Sequence, residues 1–199
     1  NGYHSPKIVF QAVNMPTNQI ETTQVLSTLN HLQSLYDSEQ DSEKMKLLGK
    51  VGLIELCGWL EMSIDKLILS VAVLNEPNLK FLNGKIKKIT TFEYEKSIKE
   101  LLIFLKGLEF YEKFESDEAI QSDITLYKSK TETEKIYEDK TLITMRHAAA
   151  HTLTSLSQIT NYNAPSYYIT YVNNISSILI RFKTHIDSLL AGFTSAPQL

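Results

Sequence analysis

The chain has few of the residues that build cross-linked, loop-rich or arginine-studded proteins. Of its 199 residues one is a cysteine, seven are glycines, five are prolines and only two, Arg146 and Arg181, are arginines. A single thiol excludes an internal disulfide, and Cys57 within an apolar run fits a reducing compartment, so a cytoplasmic protein is expected. So few glycines and prolines exclude a collagen-like, low-complexity or disordered chain. A long uninterrupted hydrophobic run is also missing. The most apolar stretch, "VGLIELCGWLEMSIDKLILSVAVL", contains Glu55, Glu61, Asp65 and Lys66, too many charges for a lipid-spanning segment. It is read as a central core helix, with no membrane partner. The opening "NGYHSPKIVFQAVNMP" lacks the basic end, apolar run and cleavage site of a secretory signal. With no initiating Met, the chain reads as trimmed or truncated.

With 43% hydrophobic and 22% charged residues, the composition suits one globular domain. The boundaries are read as an N-terminal extension over 1–18, a helical domain over 19–193 and a tail over 194–199. Net charge is -3, which advertises no nucleic-acid partner by itself. Its distribution is uneven. From Thr141 onward the one acidic side chain is Asp187, against Arg146, Arg181 and Lys183. A mildly basic face at one end is therefore expected.

Helix signals recur along the chain. Thr17 can cap a first helix to about Asp37, with Val25, Leu29, Leu32 and Tyr36 on one face. A second is expected from Asp41 or Ser42 to about Leu74, where "NEPN" stops it. "TTFE" at Thr90–Glu93 has capping-box spacing and opens a third helix with Tyr94, Ile98, Leu101, Leu102, Leu105 and Leu108 inward. A shorter segment spans about Glu118–Tyr127. Thr131 and Glu134 again match the box and are read as opening the next helix. Asn163 or Ser166 can cap a last helix, with Pro165 in its first turn and a stripe of Ile169, Val172, Ile175, Leu179, Phe182, Ile186 and Leu189. Alternating strands are not evident, "KIVFQAV" being the one ambiguous run. These signals predict an all-α, up-and-down bundle of four to six helices. Gly49, Gly52 and Gly58 are read as permitting close helix crossings.

Against that background, "TMRHAAAHT" at Thr144–Thr152 is unusual. Lysine outnumbers arginine eighteen to two, so a guanidinium here points to its particular property, a permanently charged planar fork that matches phosphate or carboxylate oxygens. His147 and His151 are four residues apart, about 40° around a helix. Arg146 and His151 are about 140° apart and about 7.5 Å along the axis, so one helix does not aim both at a single point. Two copies about a two-fold axis would bring them to one cleft, and the small side chains of Ala148, Ala149 and Ala150 would let another backbone or a ligand approach.

"RHAAAH", late in an all-α chain and before a final helix, resembles the signature of the HEPN domain superfamily. "LIELCGWLEMSIDKLI" and the "AAHT" ending are also similar to bacterial members, and the resemblance spans about residues 20–190. It implies a homodimeric, metal-independent endoribonuclease of the toxin or antiviral-defence kind. No cofactor is implied. Arg146 and His151 would be the catalytic pair and His147 the intervening polar residue, with RNA as substrate and a cognate antitoxin or regulatory protein as a further partner. A non-catalytic module binding nucleotides, RNA or protein is the alternative.

Other readings of the same residues stand beside this one. Arg146 can bridge to Glu61 or Asp65, which share a face of the second helix; in the catalytic reading Glu61 orients Arg146 or His147 instead. Two histidines four apart also suit zinc, with His185 as a further ligand, although Ala148 stands where a metalloprotease carries glutamate. Tyr162, Tyr167, Tyr168 and Tyr171 can stack on bases or pack into the bundle. His4 and His31 are read as surface or packing residues, and Lys85, Lys87 and Lys88 as a solvated loop.

Overall fold

A computed structural model describes residues 20–71, 91–151 and 162–194; of Ala150, His151, Phe193 and Thr194 it describes the backbone alone. Among these residues seven α-helices dominate: α1 Thr23–Ser38, α2 Ser42–Leu69, α3 Glu100–Lys106, α4 Leu108–Glu115, α5 Glu118–Lys128, α6 Leu142–His151 and α7 Pro165–Thr194. The all-α bundle expected from the sequence is the architecture observed. The seven segments arise partly because the expected third helix is two. Gly107 breaks it at φ +86°, a conformation open to glycine and costly to other residues. Leu108 therefore belongs to α4 and faces outward, contrary to the inward position expected of it.

The three long helices α1, α2 and α7 pack pairwise, and α7 also meets α4 and α5. α2 buries residues around much of its circumference, among them Leu53, Leu56, Trp59, Leu60, Ile64, Leu67 and Ile68, as a helix central to a bundle must. Its start is set by Asp41, whose carboxylate accepts from the backbone N–H groups of Glu43 at 2.8 Å and Lys44 at 3.3 Å, an N-cap satisfying two orphan donors. Asp117 caps α5 in the same way. Trp59 is buried yet satisfied, its indole N–H donating to the Glu21 carbonyl at 2.8 Å. Along α7, Val172, Ile175, Leu179, Phe182 and Ile186 are fully buried, the stripe read from the sequence. Among the described residues no helix is long and apolar enough to cross a membrane.

Several local expectations are corrected. Thr131 does not open α6. It lies in a π-helical turn, Ser129–Thr133, that ends α5, and its hydroxyl donates to the Tyr127 carbonyl at 2.9 Å. A short antiparallel hairpin follows, β1 Lys135–Tyr137 with β2 Lys140–Thr141, where no strand was expected. Its strands are too short to show alternation, and its turn uses Glu138 at φ 49°. α6 then starts beyond Thr141, whose hydroxyl oxygen accepts from the Thr144 N–H at 3.4 Å. Neither proposed cap of α7 is one. The Asn163 amide donates to the Ile136 carbonyl at 2.8 Å, tying the turn to β1, and the Ser166 N–H is held by Gln33. Pro165 does occupy the first turn. Thr17, the Thr90 end of the box, "KIVFQAV", "NEPN", His4 and Lys85, Lys87 and Lys88 lie outside the described residues. The Thr91 hydroxyl accepts from the Glu93 N–H at 3.2 Å.

The α2 glycines divide. A Cβ on Gly49 would lie 2.7 Å from the Asn163 carbonyl oxygen, and one on Gly52 would lie 2.9 Å from the Tyr168 ring, so both permit close passage of the segment leading into α7. Gly58 has nothing within 4 Å of its Cβ position. It serves no crossing within the described chain.

Candidate functional site

The site is built where α6 lies along α2. Leu142, Met145 and Ala149 are buried, a three-and-four-residue stripe that seats α6 on the bundle. Arg146 falls at the edge of that stripe and His147 beyond it in solvent. The small Ala149 lets the two helices approach. Arg146 reaches α2, where its Nη2 lies 2.6 Å from Glu61 Oε1, with about a quarter of each side chain exposed.

This contact is an ion pair and not an aligned hydrogen bond. Glu61 Oε1 is buried and has no hydrogen-bond partner among the described residues. The distance establishes the electrostatic contact, and the orientation leaves this oxygen with unused accepting capacity. One turn further along α2, burial pushes the Asp65 carboxyl up to about 6, and the negative charge of Glu61 adds to the shift. The Cys57 thiol is also raised, chiefly by burial and then by Glu61, while Arg146 opposes the shift. A thiol held protonated is a packing group and a poor nucleophile. Cys57, Glu61, Asp65 and Arg146 therefore form one electrostatic neighbourhood.

His147 is exposed on α6, and His151 ends the described part of that helix. The structure thus brings Arg146 to Glu61, one of the two carboxylates the sequence singled out. Of His151 the backbone alone is described, five residues beyond Arg146 on α6. His185 lies on α7, its ring 5.6 Å from that of Phe114 and its Nε2 buried without a hydrogen-bond partner among the described residues. His31 is exposed on α1.

The tyrosines after the motif pack. Tyr168 and Tyr171 are buried, and the Tyr171 hydroxyl donates to Glu134 at 3.0 Å. Burial pushes both phenols well above their ordinary value. The expected basic face does not form from Arg146, Arg181 and Lys183, because each meets a carboxylate: Glu61, Asp123 and Asp187 respectively. Arg181 forms a two-pronged contact, Nε and Nη2 each donating to Asp123 at 2.6 Å.

Asp65 is the group whose importance sequence reasoning underrated. Its spacing from Glu61 was readable, but its protonation depends on neighbours that only packing supplies. No protein-family model matches the chain, and neither the curated proteins nor the solved structures contain a match.

Proposed function

We propose that this chain is a HEPN-type, metal-independent endoribonuclease acting as a homodimer. The observation that carries the reading is Arg146: one of two arginines in the chain, held at a half-buried position on the helix that also bears His147 and His151. The nearest approach of Glu61 is to Nη2. A guanidinium has five N–H donors, so the fork retains capacity for a phosphate.

In the proposed reaction the ribose 2′-OH attacks the adjacent phosphorus as the bond to the 5′-oxygen breaks. His151 manages the protons, accepting one from the nucleophile and returning one to the leaving oxygen, with His147 assisting. Arg146 stabilises the charge that develops on the phosphorane. The products carry a 2′,3′-cyclic phosphate and a 5′-OH. RNA supplies its own nucleophile in this scheme, which suits a toxin or antiviral-defence enzyme controlled by an antitoxin or regulatory protein.

A second reading is favoured by the Arg146–Glu61 pair itself: a guanidinium already matched by a carboxylate suits a non-catalytic HEPN-type module that binds RNA, nucleotides or protein. One experiment separates the two. Purified chain incubated with total RNA in EDTA should yield cyclic-phosphate ends, with cleavage falling at least about a hundredfold in folded Arg146→Ala and His151→Ala proteins. Binding without cleavage assigns the module, and cleavage abolished by EDTA assigns a metal enzyme.

A further inference from the structure

A groove of about 260 Å³ lies between the first turn of α1 and the outer side of α2. Its floor is apolar. Ile54 and Met62, 45% and 59% exposed, stand four residues either side of Gly58, whose Cβ position has nothing within 4 Å, and buried Trp59 lines the groove beside them. Its rim is charged. Glu21 is already engaged, its carboxylate accepting from the Thr23 N–H at 2.8 Å with the Lys66 charge near it. Glu55 is different: it stands half-buried on the rim, and no cation pairs with it among the described residues. The groove therefore suits an apolar occupant that carries a positive charge at one end.

The chain itself holds such a segment. Ile20 is buried, and the Glu21 carbonyl accepts from the Trp59 indole N–H at 2.8 Å, so residues 1–19 join the described chain at the rim of the groove. Within them lies "KIVFQAV", Lys7–Val13, whose one charge is Lys7, and residues 1–19 contain no acidic side chain.

We propose that Lys7–Val13 docks in this groove as an extended segment running parallel to α2, sealing the seam between α1 and α2. In an extended chain Ile8, Phe10 and Ala12 share one side, and Phe10 and Ala12 are about 6.6 Å apart. Gly58 and Met62 are about 6 Å apart along α2. Phe10 above Gly58 thus sets Ala12 beside Met62. Lys7, about 10 Å before Phe10, then comes within a lysine side chain's reach of Glu55, which lies about 4.5 Å before Gly58. The opposite direction would bring Lys7 to Lys66, and like charge opposes it. The connection is long enough: from Val13 to Ile20 the chain spans up to about 23 Å, against roughly 10 Å along α2 between Lys66, near which Val13 falls, and Trp59. A contact of this size between separate molecules is weak. Here the tether holds the segment at an effective concentration on the order of millimolar.

The full-length chain carrying Ala12→Cys and Met62→Cys should close a disulfide within one chain on mild oxidation, read by non-reducing peptide mapping, since the bond forms only where the two Cα atoms come within about 7 Å. Cys57 is buried and stays out of the exchange. Adding Phe10→Asp should lower the cross-linked fraction. In the chain that keeps Met62, Phe10→Asp should speed oxidation of this methionine by dilute peroxide at least about threefold while helix content holds, and Lys7→Glu should act in the same direction. Absence of the disulfide, or Met62 oxidation indifferent to both Phe10→Asp and Lys7→Glu, overturns the proposal. So does a disulfide that joins two chains, which gives the groove to a second copy. Cross-linking that is as efficient with Phe81→Cys in place of Ala12→Cys also overturns it, giving the groove to the chain beyond α2.

Discussion

Asp65 shows how a single side chain here departs from its ordinary chemistry. Its carboxyl is raised from 3.8 to about 6, first by burial and then by Glu61, so the folded state binds the proton more tightly than the unfolded state does. The stability this contributes is fully present below the unfolded value and is lost as pH rises from about 4 to about 6. Two pK units correspond to about 3 kcal/mol; partial solvent access reduces this to roughly 1 to 2 kcal/mol. Asp65→Asn should therefore stabilise the protein by roughly 1 to 2 kcal/mol at pH 7 and by almost nothing at pH 4. Urea unfolding of both proteins across that range measures it, and an equal effect at both pH values would contradict the assignment. The same neighbourhood suits an arginine at position 146, whose permanently charged fork is paired with the Glu61 carboxylate.

At the scale of elements, glycines decide where helices start, stop and touch. Gly49 faces the Asn163 carbonyl oxygen at a Cβ distance of 2.7 Å, and Gly107 sits at φ +86° and ψ 168°, a region essentially limited to glycine. Gly49→Ala should cost about 1 to 3 kcal/mol by overpacking, and Gly107→Ala a similar amount, about 1 to 3 kcal/mol, through backbone strain. Gly58→Ala, in the same helix as Gly49 but open, should instead gain about 0.5 to 1 kcal/mol from helix propensity. Thermal unfolding of the three variants reads the difference. None of this contrast is visible in the sequence, where Gly49, Gly52 and Gly58 look alike. Thr131 teaches the same lesson: its spacing to Glu134 fits a capping box, yet its hydroxyl bonds back to Tyr127 because α5 runs one turn further before the hairpin. Asp41 and Asp117 cap as aspartates ahead of helices should, since an N-cap needs partners only in its own first turn.

For the whole molecule, the question is whether a site can be complete in one subunit. On the proposed nuclease reading, the five-residue spacing of Arg146 and His151 on a helix calls for two, and that reading carries a direct consequence. Arg146→Ala and His151→Ala proteins, each inactive alone, should recover measurable RNA cleavage when mixed and allowed to exchange subunits, up to about a quarter of the wild-type rate at equal mixing. No recovery, with exchange verified by mass, would place the reacting groups within one chain or remove the reaction. Net charge bears on this scale too. At -3 overall, and with Arg146, Arg181 and Lys183 each ion-paired, long-range attraction of a polyanion is weak, so on the proposed reading RNA would have to be recognised through short-range contacts.

Local spacing was enough to give the all-α class, the central core position of α2, its start near Asp41, the apolar stripe of α7, the proline in the first turn of α7 and the pairing candidates for Arg146. Each is written in residues a few positions apart, where helix geometry converts spacing directly into position. It took the packed molecule to show that Glu61 meets Arg146, that the Asp65 carboxyl is raised to about 6, that Gly58 opens outward and that Tyr168 and Tyr171 pack inward. Those outcomes depend on which surfaces distant segments bring together, and burial, charge proximity and close approach are properties of that assembly, absent from any local stretch of chain.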